Sequence, residues 1–248
     1  AIINFFEAGK PSVDDVTAQY IMELGASHYA AALQQSYDGG WRPGRHRATA
    51  HNGTKCPLAN WFQLNQYPKE ALSGRVKATF RMGGIVELEL YLAALLAGEE
   101  ITNYQEKIKI PLSGWPTNNY IDFIHKSKAD GKRRVVDVKT MSSYSYDRVF
   151  KRGEGVGDEF GYLGQMNLYI HQTLEDGLTD IDEGIFLCYK KDTGHIGEHV
   201  IKLSPAYVER AEANVAYIVK ATDYVPCPAC GNSEFGNADL LDSPCNVC

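Results

Sequence analysis

Residues 119–139 read NYIDFIHKSKADGKRRVVDVK, and the reading of the fold turns on them. Two apolar, partly β-branched runs, Tyr120 to Ile124 and Val135 to Val138, flank a loop at residues 128–132 that carries an Asp-Gly turn signal. This is the pattern of a β-hairpin. Each strand holds one acid among apolar neighbours, Asp122 on the first and Asp137 on the second, and Lys139 follows two places after Asp137. Side chains alternate faces along a strand, so Asp137 and Lys139 point the same way, and Asp122 can approach from the partner strand.

Two carboxylates and an ammonium converging at a sheet edge suit the holding of a divalent cation beside a phosphate. The carboxylates supply hard oxygen ligands for Mg²⁺ or Mn²⁺, and the lysine can orient a water or offset charge in the transition state. The same three residues also fit a solvated hairpin with an ordinary salt bridge. Their neighbours separate the two readings. Glu87 lies upstream in RMGGIVELELYLAALL, an almost wholly apolar segment where an acid is costly to bury unless it is paired or bound to a metal. Glu89 shares that segment but points about 200° away around a helix axis. Downstream, Gln165 and Tyr169 in GYLGQMNLYI are spaced to share a helical face.

In this order the pieces resemble the RecB-like branch of the PD-(D/E)XK nuclease superfamily. The motifs are Gly84-Ile-Val-Glu87, Asp122, Asp137-Val-Lys139-Thr140 and the run from Gln165 to Tyr169. The resemblance implies a restriction-endonuclease-like α/β fold, a three-layer core with a mixed central sheet. It also implies metal-dependent hydrolysis of DNA, most simply by an exonuclease on single-stranded ends, similar to the CRISPR-associated adaptation exonucleases and their viral relatives. A structure- or sequence-selective endonuclease on the same core stays open. So does a non-catalytic nucleic-acid-binding protein. On the nuclease reading Glu87, Asp122, Asp137 and the Val138 carbonyl bind the cation. Lys139 positions the water and helps deprotonate it, and Gln165 and Tyr169 orient the scissile strand. The family often has His at the Glu87 position; Glu keeps an oxygen ligand and removes the imidazole.

With 248 residues, 44% of them hydrophobic, the chain can bury one sizeable core. No apolar run reaches the ~18 residues of a membrane span and no secretory signal is visible, so an intracellular, cytoplasmic protein without a membrane partner is expected. The net charge of −6 is unevenly spread. Between Trp41 and Arg81, eight Lys/Arg (Arg42, Arg45, Arg47, Lys55, Lys69, Arg75, Lys77 and Arg81) face Glu70 alone. Between Lys132 and Arg152, seven face Asp137 and Asp147. Both stretches flank the candidate site and suit phosphate-backbone contact, although a charge run is also the ordinary make-up of a solvated face.

In chain order, a helix is expected from a capping-box-like Ser12-Val-Asp-Asp15 to about Gln35, with Val16, Tyr20, Leu24 and Tyr29 as its core-facing stripe. A second helix runs from Met82 to Leu96, and a first strand from Lys107 to Leu112. The stretch 141–150, rich in hydroxyls and aromatics, suits either a surface loop or a single-strand track that uses Tyr144, Tyr146 and Arg148. A helix at 158–174, strands at 184–190 and 199–203, and a last helix opened by Ser204-Pro205 complete a domain over residues 1–222 with an N-terminal helical segment, 1–80.

Residues 223–248 form a cysteine tail, with Cys227-Pro-Ala-Cys230 and, after fourteen intervening residues, Cys245-Asn-Val-Cys248. Paired spacing of this kind points to metal rather than to disulfides. Four local thiolates suit a zinc ribbon. The resemblance implies instead a [4Fe-4S] cluster that joins Cys56, in Cys56-Pro, to three of the tail cysteines. Either scheme leaves one of the five thiols over, and only the cluster uses Cys56, which otherwise reads as a buried free thiol.

Overall fold

The computed structural model describes residues 13–37, 73–113, 115–151, 158, 160–178 and 180–220. Helices α1 (Asp15–Tyr37) and α2 (Gly74–Leu96) come first. Strands β1 (Glu100–Thr102), β2 (Glu106–Leu112), β3 (Trp115–Ile121), β4 (Phe123–Lys126) and β5 (Arg133–Met141) follow. Then come α3 (Ser143–Phe150), α4 (Tyr162–Glu175), β6 (Glu183–Lys190), β7 (Ile196–Lys202) and α5 (Pro205–Lys220). The tail and the basic segment that holds Arg42, Arg45, Arg47, Lys55 and Cys56 lie outside the described residues, as do Cys227, Cys230, Cys245 and Cys248. No helix among the described residues is long and apolar enough to cross a membrane.

The architecture is mixed α/β, in three layers. The central sheet has the order β1-β4-β5-β6-β7, with β5 and β6 parallel and every other pair antiparallel. β2 and β3 form a separate antiparallel pair. Period-two alternation sorts the strands between two apolar layers. Val136, Val138, Ile185 and Leu187 meet Leu88, Leu90 and Tyr91 of α2 on one face. Val135, Phe186 and Cys188 meet Met166, Leu168 and Ile170 of α4 on the other, together with α3, α5 and β2–β3.

The hairpin forms as β4 and β5. Its loop closes through Gly131 N–H to Ser127 O at 2.8 Å and Lys132 N–H to Asp130 Oδ1 at 3.1 Å, and Gly131 takes the left-handed φ of 71° that the turn needs. Where the helical expectations differ from the structure, the causes are local. Asp14 caps α1, accepting from Thr17 N–H at 2.9 Å in place of Ser12. Its buried face is Ala18, Ile21 and Gly25, while Val16, Tyr20 and Tyr29 are exposed. Small residues let α1 lie close on α2: a Cβ at Gly25 would stand 2.6 Å from Leu92 Cδ1. α2 begins a full two turns before Met82, at the Ser73 cap, whose hydroxyl accepts from Val76 N–H.

α4 crosses β6 at Gly184, where an added Cβ would meet Met166 Sδ, and Cγ at 2.8 Å, against a side chain with no exposure at all. Gly184→Ala is therefore expected to lower stability by about 1–3 kcal/mol through overpacking. Urea unfolding with an unchanged m-value would measure it, and a loss below about 0.5 kcal/mol would mean that the helix yields freely.

Candidate active site

The site forms where a strand is interrupted. β3 and β4 are nearly continuous in sequence, but at Asp122 the chain leaves the β2–β3 pair and enters the main sheet, so Asp122 lies between strands rather than within one as expected. The β4–β5 register pairs Phe123 with Val136, and its continuation sets Asp122 opposite Asp137. Here a side chain replaces strand backbone as acceptor: Asp122 Oδ2 takes the Val138 N–H at 2.6 Å. The N–H and C=O of a residue leave an extended strand on the same side, so the Val138 carbonyl is directed to this edge as well.

Asp137 and Lys139 share a face, as alternation requires, and their Oδ2 and Nζ form an ion pair. Asp137 is 3% exposed, and its Oδ2 accepts no hydrogen bond beyond that pairing. Burial alone would push the Lys139 ammonium down; Asp137 and Asp122 outweigh it and hold the group above its ordinary value. From α4, Gln165 Nε2 donates to Tyr169 Oη at 2.6 Å. Both side chains are buried, and burial and Asp137 keep the Tyr169 phenol protonated well past its usual range. One end of the Gln165 amide, Oε1, is buried without a hydrogen-bond partner. A buried amide oxygen without a hydrogen-bond partner is a place where a water or substrate hydroxyl gains a bond.

Glu87 comes from the opposite layer, on α2. A residue that the sequence reading passed over, Gln105, connects it to the strands: its Nε2 donates to Glu87 Oε1 and to Asp122 Oδ1, the latter at 3.4 Å. Gln105 reaches both because the turn between β1 and β2 holds Asn103 and Gln105 at φ 58° and 50°, a region that costs a non-glycine residue about 1–2 kcal/mol. Tyr104 between them stacks on Tyr91 of α2, with ring centroids 3.9 Å apart, and pins the turn to the helix. A second omission is Tyr162, whose ring lies under Lys139 Nζ at 5.1 Å.

Three carboxyls thus gather against the single ammonium of Lys139 among the described residues. Burial, then Asp137 and Glu87, raise Asp122 well above the carboxylate range. Burial likewise raises Glu87 to about 7, against the hydrogen bond from Gln105. No three carboxylate, imidazole or thiolate groups form a ready-made cation cage among the described residues, since Gln105, Val138 N–H and Lys139 hold the carboxyls in this arrangement. The donor set nevertheless fits a hard divalent ion. It consists of the buried carboxylates of Asp122 and Asp137 and the half-buried one of Glu87, three acids against one counter-ion, with an under-bonded Asp137 Oδ2 among them.

This imbalance has a pH signature. A carboxyl raised from 4.5 to about 7 in the fold stabilises it fully below pH 4.5, and that contribution is lost as pH rises through about 7. In EDTA, Glu87→Gln should therefore gain on the parent protein between pH 5 and pH 8 by up to about 3 kcal/mol. Urea midpoints at the two pH values measure the difference, and a gap that does not widen with pH would contradict the placement of Glu87.

One expected nucleic-acid contact is not available. Residues 143–150 form a helix rather than a loop. Tyr146 is buried at 7% exposure, its hydroxyl donates to Glu198 O, and Lys190 Nζ covers its ring at 4.0 Å, so it cannot stack on a base. Tyr144 is exposed, with the Arg148 guanidinium 5.7 Å from its ring centre. Arg133 bonds Asp180, and Arg134 bonds Asp130 and Glu183 at 2.6 and 2.8 Å, so these cations are already neutralised. They also sit at the far end of β5, five or six residues from Lys139, roughly 16–20 Å along the strand.

No family description matches the chain, and no curated protein matches it. Among solved structures, the protein SSO0001 is similar over 80% of this chain and 86% of its own, at 17% identity and a TM-score of 0.42. A protein from Eubacterium rectale, provisionally named an exonuclease, is similar over 71% of this chain and 80% of its own, at 13% identity and a TM-score of 0.44.

Proposed function

We propose that the chain is a divalent-metal-dependent deoxyribonuclease of the RecB-like PD-(D/E)XK type, acting as an exonuclease on single-stranded ends. The observation that carries this reading is the meeting of Glu87, Asp122 and Asp137 around Lys139 at the interrupted strand edge. Asp122, Asp137 and Glu87, with the Val138 carbonyl, would hold Mg²⁺ or Mn²⁺. A bound ion of that kind lowers the pKa of water and polarises a phosphoryl oxygen.

The chain's own groups supply the remainder. Lys139, held protonated by its carboxylate neighbours, has no free lone pair in this arrangement. Its part is to orient the attacking water and offset charge on the phosphate, not to take the proton. The Tyr169 phenol accepts from Gln165 and keeps its own proton to donate, and Gln165 Oε1 is free to accept from the water or the strand. Gln105 keeps Glu87 and Asp122 within reach of one ion.

End-labelled linear and closed circular single-stranded DNA, each incubated with Mn²⁺ or EDTA, test the reading. Shortening of the linear strand with Mn²⁺ and an intact circle are expected. A cut circle would make the enzyme an endonuclease, and no product from any substrate would overturn the proposal. For the cysteines the proposed cofactor is the [4Fe-4S] cluster, and the expected preparation is brown, with visible absorbance lost in Cys56→Ala. A colourless protein with stoichiometric zinc would assign a ribbon instead.

A further inference from the structure

A continuous stack leads from solvent to the candidate site. Phe160 is 56% exposed, and its ring lies on that of Tyr162 at 5.4 Å and 19°. The Tyr162 ring in turn carries Lys139 Nζ, the partner of Asp137. The start of α4 is anchored by a buried carboxylate. Asp158, buried at 5% exposure, accepts from Tyr162 N–H at 2.8 Å and Leu163 N–H at 2.9 Å, and the chain enters α4 through Gly161. A single exposed phenyl ring is ordinary on a protein surface. This one differs because it continues, ring on ring, to the ammonium.

Resting on the nuclease reading above, we infer that the Phe160–Tyr162 pair is the stacking step for an unpaired nucleobase of the DNA strand, adjacent to the scissile phosphate. The two separations bring the exposed ring within roughly 10 Å of Lys139 Nζ, close enough for a base stacked on it to neighbour a phosphate held at the lysine. Every base has a π-face, so stacking here tolerates any sequence. In a duplex both faces of an internal base are covered by its neighbours. Only a single strand or a frayed end can use the step, and Phe160 thereby favours single-stranded substrate.

The test is binding of the full-length protein in EDTA to a fluorescently labelled single-stranded oligodeoxynucleotide and to a blunt duplex of the same sequence. Phe160→Ala should weaken single-strand binding by about tenfold, within the roughly 5- to 150-fold range of base–aromatic stacking. Phe160→Leu, apolar but without a π-face, should weaken it comparably, Phe160→Trp should retain it, and duplex binding should not move. A 2-aminopurine near the strand end should be quenched by the parent protein and not by Phe160→Ala, while an unchanged Tm shows that the fold is kept. Equal single-strand binding by the parent and Phe160→Ala, retention by Phe160→Leu, or no binding by the parent would each overturn the inference. If the parent cleaves with Mn²⁺ and Phe160→Ala binds as it does, the stacking step fails and the nuclease reading stands. If binding depends on Phe160 but nothing is cut, the nuclease reading fails and the stacking step stands.

Discussion

In Lys139→Ala protein, cleavage with Mn²⁺ is expected to fall by roughly 10²–10³-fold, the loss typical of removing one preorganised donor to developing negative charge. The same substitution is expected to weaken the fold in EDTA by about 3–5 kcal/mol, because it strips the counter-ion from a buried pair and leaves Asp137 beside Asp122 and Glu87 with no cation. The two losses separate by titration. A divalent ion that binds the cluster of carboxylates should restore stability, by about 2.7 kcal/mol at a hundredfold excess over Kd, without restoring cleavage. Lys139→Arg keeps the charge on a planar fork in place of a compact ammonium, and should recover stability further than it recovers activity. Thermal unfolding in EDTA and in Mn²⁺, run beside the end-labelled assay, measures both. Full cleavage by a folded Lys139→Ala protein would remove Lys139 from the chemistry.

Asp122, Asp137 and Lys139 were legible because alternation along a strand is local: given a hairpin, period two alone sets Asp137 and Lys139 on one face and Asp122 across from them. Gln105 was not legible. Its side chain reaches Glu87 and Asp122, 18 and 17 residues away, only because two non-glycine residues adopt left-handed backbone. The one hint was Asn103, which tolerates that region better than most residues. Arg133 is neutralised by an acid 47 residues downstream, and Arg134 by Glu183, 49 residues downstream, together with Asp130 just outside the window counted, so that window misreads them as free cations. Tyr146 is a different kind of miss. With Val149 and Phe150 it makes an i, i+3, i+4 apolar face that was present in the sequence, obscured by the four Ser and Tyr hydroxyls around it. On α1 the large side chains drew the reading toward Val16 and Tyr20, whereas the buried face is Ala18, Ile21 and Gly25, with Leu24 of the expected stripe packed against the layer that holds α2.

Asp122→Asn is expected to raise stability and abolish function together. The Asn side chain keeps an oxygen for the Val138 N–H, which now lies 2.6 Å from Asp122 Oδ2, and loses a charge that burial, Asp137 and Glu87 all disfavour. In EDTA at neutral pH the variant should therefore be more stable than the parent by about 1–3 kcal/mol, as happens when a strained, charged site is neutralised. Cleavage should fall by about 10³-fold or more, since a lost cation ligand forfeits several kcal/mol of transition-state charge stabilisation at ~1.36 kcal/mol per decade. Asp122→Ala makes the contrast. It removes the same charge but also the acceptor, and a buried N–H left without a partner costs about 1–3 kcal/mol, enough to cancel the gain. Excess Mn²⁺ should stabilise the parent and leave Asp122→Asn nearly unmoved, which reverses their order. Urea unfolding of the three proteins, with and without Mn²⁺, tests this ordering directly. If Asp122→Asn is the less stable protein in EDTA, the carboxyl is not under the repulsion assigned to it; if it also cleaves normally, the interrupted strand edge is not where the cation binds.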